Sequence, residues 1–465
     1  MPSPESLIAD ARPAVFWSDR PDAPVAAEPL RGSVDADLLI IGAGFTGLWA
    51  ALQAATADPG RSIVVLEAEV AGFGASSRNG GFCEASLTHG LWNGLNHWPD
   101  EIDTLLDMGR RNLTELVATV EQLGIDAEIE ATGQLHLAVA PWQVDDLHEL
   151  HELSTQHGET GRFLDTDEVR AEIHSPTYLA GLHEPDAAVM VHPARLAWGL
   201  RAACLDAGVT FHDHSRVERI TEQGTRLVAN TPTGRVTADR VLVATNAWAE
   251  PVRSIRRHVI PIYDHVLMTE PLSAAQMSAI GWEGRQGLAD SGNQFHYYRL
   301  TADNRILWGG WDANSHRGNA MGPDVERRTE SHVLLARHFF ETFPQLEGLG
   351  FSHRWAGPIG TTSKFTAAFG RRHDGRLAWV AGYTGLGVGA SRWGANVGLD
   401  LVDGRTTERT ELTMVRRKPL PFPPEPLRYP IVQFTRNQIA KADENDGTPG
   451  LWLRVLERFG VGFDS

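Results

Sequence analysis

The sequence predicts an α/β protein in which a Rossmann-like dinucleotide-binding domain is interleaved with a second, α+β domain built on a mostly antiparallel sheet. Three observations carry this. A β-α-β unit with a glycine-rich turn lies near the start of the chain, buried strands resume the same kind of sheet around Val241 and Val380, and between those returns strand-like segments rich in aromatic residues surround a hairpin turn.

A leader rich in Pro and Ala (1–36) precedes Asp37-Leu-Leu-Ile-Ile41, an apolar run short enough for a buried strand. Gly42-Ala-Gly44-Phe-Thr-Gly47 follows, and Leu48 to Ala57 reads as a helix with no breaker before Asp58-Pro59-Gly60. Ile63-Val-Val-Leu66 is the second buried strand and ends in Glu67. The three glycines have separate tasks: a tight turn at Gly42, close approach of backbone to a pyrophosphate at Gly44, and close packing of helix on strand at Gly47. The helix N-terminus then offers N–H groups and partial positive charge to phosphates. Glu67, 25 positions after Gly42 at the carboxyl end of a strand, suits a ribose hydroxyl and argues against a ribose 2′-phosphate.

Gly72, Gly74, Gly80 and Gly81 interrupt the next segment, and Ser76-Ser-Arg-Asn79 places polar groups inside that loop. Helices are expected over Glu101–Leu123 and Val144–His157, with a strand at Gln134–Val139. A helix runs from His192-Pro193 through Ala207, short strands follow at Val209–Phe211 and Val217–Ile220, and Ala238–Thr245 resumes the buried sheet. Val259–Thr269, Gln294–Leu300 and Arg305–Gly309 read as strands, with Asp303-Asn304 as a hairpin turn. Leu377–Ala381 and a helix over about 391–402 close the first domain, and prolines between Pro419 and Pro426 form a stiff connector to a short helical tail. The expected domains are 37–95, 185–255 and 350–410 for the dinucleotide, 96–184 and 256–349 for the substrate, and 411–465 for the connector and tail.

The 465 residues carry 42 Lys and Arg against 59 Asp and Glu, a net charge of −17, without a local basic patch, which excludes nucleic acid as a natural partner. Two cysteines, Cys83 and Cys204, are too few for a disulfide framework and lack zinc or redox spacing. The N-terminal stretch is acidic and proline-rich, unlike a signal peptide, and no apolar run approaches about 18 residues. A cytoplasmic protein with no membrane partner is expected. The histidines, among them His192, His212, His214 and His353, show no triad and no metal-ligand spacing.

Taken together, Gly42-Ala-Gly-Phe-Thr-Gly47, Leu66-Glu67, Gly74-Ala-Ser-Ser-Arg-Asn-Gly-Gly81, Ala244-Thr-Asn246, Tyr297-Tyr-Arg-Leu300, Trp355-Ala-Gly357 and Gly382-Tyr-Thr-Gly-Leu-Gly387 resemble the FAD-dependent D-amino-acid oxidase superfamily, which includes glycine and sarcosine oxidases. The resemblance runs from Asp37 to about Gly404 and is closest to the bacterial γ-glutamylputrescine oxidoreductase-like branch. It implies FAD, held through Gly42, Gly44, Phe45, Thr46, Gly47, Glu67 and Ala68 and wrapped by Gly74, Ala75, Ser76, Ser77, Arg78, Asn79, Gly80 and Gly81. It further implies that Val217 offers its backbone to adenine, that Thr245, Asn246 and Gly357 lie near the cofactor, and that Gly385, Leu386, Gly387 and Val388 approach the pyrimidine end of the flavin. Arg78 stands where some relatives carry a flavin-linking His and Cys83 reads as a small buried thiol, so the FAD is expected to be non-covalent.

On the substrate side, the resemblance makes Tyr297, Tyr298 and Arg299 the strand that crosses the flavin face. Arg299 is a candidate carboxylate clamp, or else a partner of Asp303 or Asp312. Trp355 is an aromatic wall or core, Glu84 a holder of a cationic amine or a solvated carboxylate, and Lys364 an oxygen-activating cation or a surface charge. The implied reaction is oxidation of a C–N bond in a small primary or secondary amine or amino acid. Hydride transfer to flavin N5 gives an imine that hydrolyses to a carbonyl, with O2 as acceptor giving H2O2. Alternatives are a dehydrogenase of the same fold, an aminophosphonate or amino-acid oxidase, and a non-catalytic flavin-binding protein. The oligomeric state stays open.

Overall fold

A computed structural model describes residues 4–249 and 252–461. The ends of the leader and tail, and two positions inside the expected 185–255 segment, therefore lie outside the described residues. The first of two eight-stranded sheets is the dinucleotide sheet, whose path runs Ala368–Arg372, Leu377–Ala381, Gly234–Val243, Gly32–Ile41, Ile63–Leu66, Thr210–His212. Its inner strands are parallel, with Leu39 opposite both Val64 and Val241, so they are buried on both faces and read as continuous apolar runs. Alternate side chains part: Leu38 and Ile40 meet the helices Phe45–Ala57, Pro193–Asp206 and Gly387–Val402, while Leu39 and Ile41 join the opposite core with Val217, Leu227 and Val236. An antiparallel ribbon, Arg219–Gln223 and Arg226–Asn230, covers that second face.

The other eight-stranded sheet runs Phe351–Thr361, Ile260–Thr269, Ile306–Asn314, His296–Leu300, Gly287–Asp290, Gln134–Ala138, Ala180–Glu184, Arg162–Leu164. All its pairs are antiparallel except Gly287–Asp290 with Gln134–Ala138. Helix Thr329–Thr342 packs Leu335, Phe339 and its neighbour Phe343 onto one face, against Leu267, Leu288, Tyr298 and Trp308. The opposite face, carrying Ile262, Asp264, Val266, Ala289 and Tyr297, looks into a cleft between the two sheets. Asp303 and Asn304 form the expected turn, Asn304 at φ +58°.

Two boundaries differ from the sequence reading. Phe351–Thr361 does not return to the dinucleotide sheet; its register with Ile260–Thr269 is unbroken from Ile260 to Met268, and the chain re-enters the first sheet only at Ala368. The leader expected over 1–36 also ends earlier, since the first strand begins at Gly32. The Arg12 N–H donates to Ser352 O and Arg12 O accepts from the Arg354 N–H, both at 2.9 Å, so the leader is fastened along that edge strand, and Ile8 and Trp17 are buried. Among the described residues no helix is long and apolar enough to cross a membrane.

Candidate active site

The carboxyl ends of the inner parallel strands open onto a cleft of about 1520 Å³, the expected position for a ligand in such a sheet. Gly42 turns the chain at φ +102°, and a Cβ there would lie 2.8 Å from Ala244 O. A Cβ on Gly47 would lie 1.9 Å from Gly42 O, so only glycine lets the helix start this close to the strand. Gly44, Phe45 and Thr46 line the cleft, and the Phe45 N–H donates to Ser76 Oγ at 2.8 Å. Glu67 lies at the strand end, its Oε2 accepting from the Ala43 N–H (2.7 Å) and its Oε1 from the Glu69 N–H (3.0 Å). Burial raises its pKa above the usual carboxylate range. Ala68 and Val217 line the same end.

The loop from Gly74 to Gly81 is braced on every side. Asn79 Nδ2 donates to Ala75 O and Ser76 O, and its Oδ1 accepts from the Gly81 N–H. Two indoles pin the backbone from outside at 2.9 Å, Trp17 Nε1 on Asn79 O and Trp355 Nε1 on Arg78 O. Arg78 pairs with Glu326 at 2.9 Å and donates to Ala356 O. Gly74, Ala75, Ser76, Arg78, Asn79 and Gly80 face the cleft; Gly47, Ser77 and Gly81 support it from behind.

At the far end of the nucleotide site, Asn246 adopts φ +45° and its Oδ1 accepts from the Gly382 N–H at 2.8 Å. Thr245, Gly357, Gly385, Leu386, Gly387 and Val388 all reach the cleft, where helix Gly387–Val402 presents its N-terminus. Dinucleotide-binding glycines, a carboxylate at the strand end, a braced loop and a helix N-terminus in one cleft fit FAD. Cys83 points into the core and does not line the cleft.

The substrate side departs from the sequence reading. Tyr297 faces the cleft, its ring lodged between Gly80 and Gly309, where a Cβ would come within 2.7 and 2.5 Å of ring atoms. Its hydroxyl donates to Asp264 Oδ2 at 2.5 Å, and burial pushes the Asp264 carboxyl up to about 6. Tyr298, one residue on, necessarily points the other way and is buried in the core with its hydroxyl on Asp290. Arg299 is 1% exposed and spends its guanidinium on Val191 O (2.8 Å) and Leu300 O (3.0 Å); it neither clamps a ligand in the cleft nor pairs across the hairpin. Trp355 is core, in one buried cluster with Trp17 behind the loop. Lys364 sits with Nζ 5.2 Å from the Trp98 ring centre, outside the cleft.

Glu84 does line the cleft, and among the described residues no side-chain hydrogen bond or ion pair to its carboxylate is formed. Burial raises its pKa. His136 and Glu184, 3.3 Å apart, share this part of the wall. Burial works against the His136 imidazolium, but Glu184 and Glu84 outweigh it and hold its pKa above the ordinary value. Three residues escaped the sequence reading: Asp264, His136 and His89. His89 lines the cleft near Gly385 at φ +61°, and burial lowers its pKa to about 4, so it is a neutral imidazole at neutral pH. No local pattern marks these three; each is brought in by long-range packing.

Fold and cleft have the form of a dinucleotide-dependent oxidoreductase, with a second sheet set against the nucleotide sheet. Residues 37–398 match the family described as "DAO: FAD dependent oxidoreductase", and the chain belongs to it. FAD is the family's cofactor. The chain is 31% identical over 385 residues to the gamma-glutamylputrescine oxidoreductase of Escherichia coli (strain K12), covering 81% of this chain and 86% of that one. It is 29% identical over 372 residues to the probable oxidoreductase OrdL of Haemophilus influenzae, covering 77% and 81%. The fold is that of glycine oxidase from Geobacillus kaustophilus, with a TM-score of 0.68 at 20% sequence identity, covering 81% of this chain and 96% of that one.

Proposed function

We propose that the protein oxidises a C–N bond in a small amine that carries a second positive charge away from the reacting carbon. The observation behind this is Glu84, a carboxylate on the cleft wall that makes no side-chain hydrogen bond or ion pair among the described residues and sits within electrostatic reach of Glu184 and His136, while Arg299 is withdrawn from the cleft. Such a wall favours an ammonium through charge-assisted hydrogen bonds. The names of the relatives, a gamma-glutamylputrescine oxidoreductase and a glycine oxidase, support an amine or amino-acid substrate. FAD, when bound, supplies a two-electron acceptor. The chain's own contribution is positioning: Tyr297, fixed by Asp264 and its two glycine neighbours, forms a rigid floor, and Glu84 orients the distal cation.

The oxidised product is an imine, which water hydrolyses to a carbonyl compound and ammonia or a smaller amine. Dioxygen is the proposed acceptor, with hydrogen peroxide as product. Lys364, held over Trp98, favours the second reading, a dehydrogenase that passes electrons to another acceptor. The test has two stages. Anaerobic mixing with monoamines, diamines and amino acids should bleach the flavin absorbance fastest with diamines, and an oxygen electrode then separates oxidase from dehydrogenase. Glu84→Gln should lower kcat/KM for diamines roughly 10- to 100-fold, the loss of one charge-assisted bond, and leave monoamines within about twofold. Equal losses for both would refute the role of Glu84; no bleaching by any amine would refute the reaction.

A further inference from the structure

Past residue 398, where the family match ends, the chain runs back along the cleft. The Phe422 N–H donates to Arg257 O at 2.7 Å, and Leu420 O accepts from Ser363 Oγ at 3.0 Å. Helices Arg428–Asp443 and Leu451–Arg458 follow. Ile431, Ile439, Trp452 and Leu456 face the same cleft as the Gly74–Gly81 loop. Among the described residues of the two helices only Ala442 and Leu453 are buried. These helices cover little core of their own; their inward faces meet the cavity.

Polar contacts add to the small apolar cluster of Ala442 and Leu453 with Phe365 in holding them there. Asp443 uses both oxygens on the loop between strands Gly287–Asp290 and His296–Leu300: Oδ1 accepts from Asn293 N–H (3.2 Å) and Nδ2 (2.7 Å), and Oδ2 from the Gln294 N–H (2.7 Å). Gln433 Nε2 donates to Ser315 Oγ at 2.8 Å, and Arg436 to Asn314 Oδ1 at 2.9 Å. Two short helices with so little burial would not persist unaided, so these contacts keep them closed against the sheet that presents Tyr297.

We propose that this C-terminal helix pair is the outer wall of the substrate chamber and selects amines by the length of their non-reacting part. An apolar wall of Ile431, Ile439, Trp452 and Leu456 favours a methylene chain over a short amino acid, because burying each added CH2 there is favourable. The substrate preference rests on the amine reading above, whereas the wall itself does not.

The experiment uses the full-length holoprotein with Asp443→Ala, which removes the clasp, and Trp452→Ala, which keeps the clasp and removes part of the wall. Quenching of flavin fluorescence by iodide reports access to the cofactor without any substrate. Steady-state kinetics on a homologous series of amines of increasing chain length reports selection. Asp443→Ala should keep its FAD, raise the iodide quenching constant severalfold and lose tenfold or more in kcat/KM for long amines, mainly through KM, with short amines within twofold. Asp443→Asn, which keeps one acceptor oxygen and turns an NH2 toward the other donor, should fall between Asp443→Ala and the wild type. Trp452→Ala should flatten the chain-length preference while iodide access rises less. Unchanged quenching and unchanged chain-length preference in both alanine variants would overturn the proposal. Raised quenching in a protein that no amine reduces would uphold the wall and reject the amine chemistry instead.

Discussion

Replacing Glu67 by Gln should weaken FAD binding by about 10- to 100-fold. Both carboxylate oxygens are engaged by backbone, Oε2 with the Ala43 N–H at 2.7 Å inside the glycine turn and Oε1 with the Glu69 N–H at 3.0 Å. Glutamine supplies one acceptor and one donor, so one of those N–H groups would face an NH2. A hydrogen bond to a charged group contributes about 1.5–3 kcal/mol against about 1 for a neutral one. Losing the charge toward a ribose hydroxyl and loosening the turn together amount to about 1.5–3 kcal/mol, which is the stated range of Kd. Titrating FAD into the apoprotein and following flavin fluorescence measures the first effect, and the apoprotein's thermal melt measures the second. A variant whose melt falls while its Kd for FAD stays within twofold would mean that Glu67 braces the turn and does not hold ribose.

Arg299→Ala should destabilise the fold by roughly 2–5 kcal/mol, since it empties a buried volume and strips Val191 O of its donor; urea unfolding measures this, and a tenfold rise in KM with stability intact would restore the clamp. Asp264→Asn should flatten part of the pH dependence of stability. The Asp264 carboxyl is raised from 3.8 to about 6 by burial, so the native state binds the extra proton between those values and the wild type loses stability as pH rises through that window. The loss reaches about 3 kcal/mol above pH 6. Denaturation of both proteins from pH 4 to 8 should show the variant gaining on the wild type over that interval, and a constant difference would refute it.

The nucleotide half was legible because its signals are local. A strand, a glycine spacing and a terminal carboxylate lie within one β-α-β unit, and parallel strands buried on both faces announce themselves as apolar runs. The substrate half was not. Tyr297-Tyr298-Arg299 is consecutive in sequence, but a strand alternates, and nothing local says which face helix Thr329–Thr342 will cover. Arg299 shares the side of Tyr297, yet it ends beneath Gly81, against a carbonyl 108 residues away in the chain. Trp355 was ambiguous for the same reason, its partner Trp17 lying in a leader that looks featureless. Lys364 illustrates a scarce residue type attracting a role; Ser363 and Phe365 beside it line the cleft and it does not. The tail was readable as helix, but what it covers was not.

The two indole pins on the Gly74–Gly81 loop have a consequence for how the protein is made. Trp17 is 62 residues from the carbonyl it holds, and Trp355 is 277 residues from its own. A ribosome that has released only the first β-α-β unit has exposed the glycine turn and Glu67 but not the second clamp, nor the helix that begins at Gly387. A chain that has not yet reached Gly387 therefore lacks one of the two indole pins or the helix N-terminus that lines the cleft. Loss of either end of that span leaves a carbonyl of the loop without its indole donor, so the order of the loop depends on the leader and on strand Phe351–Thr361 together.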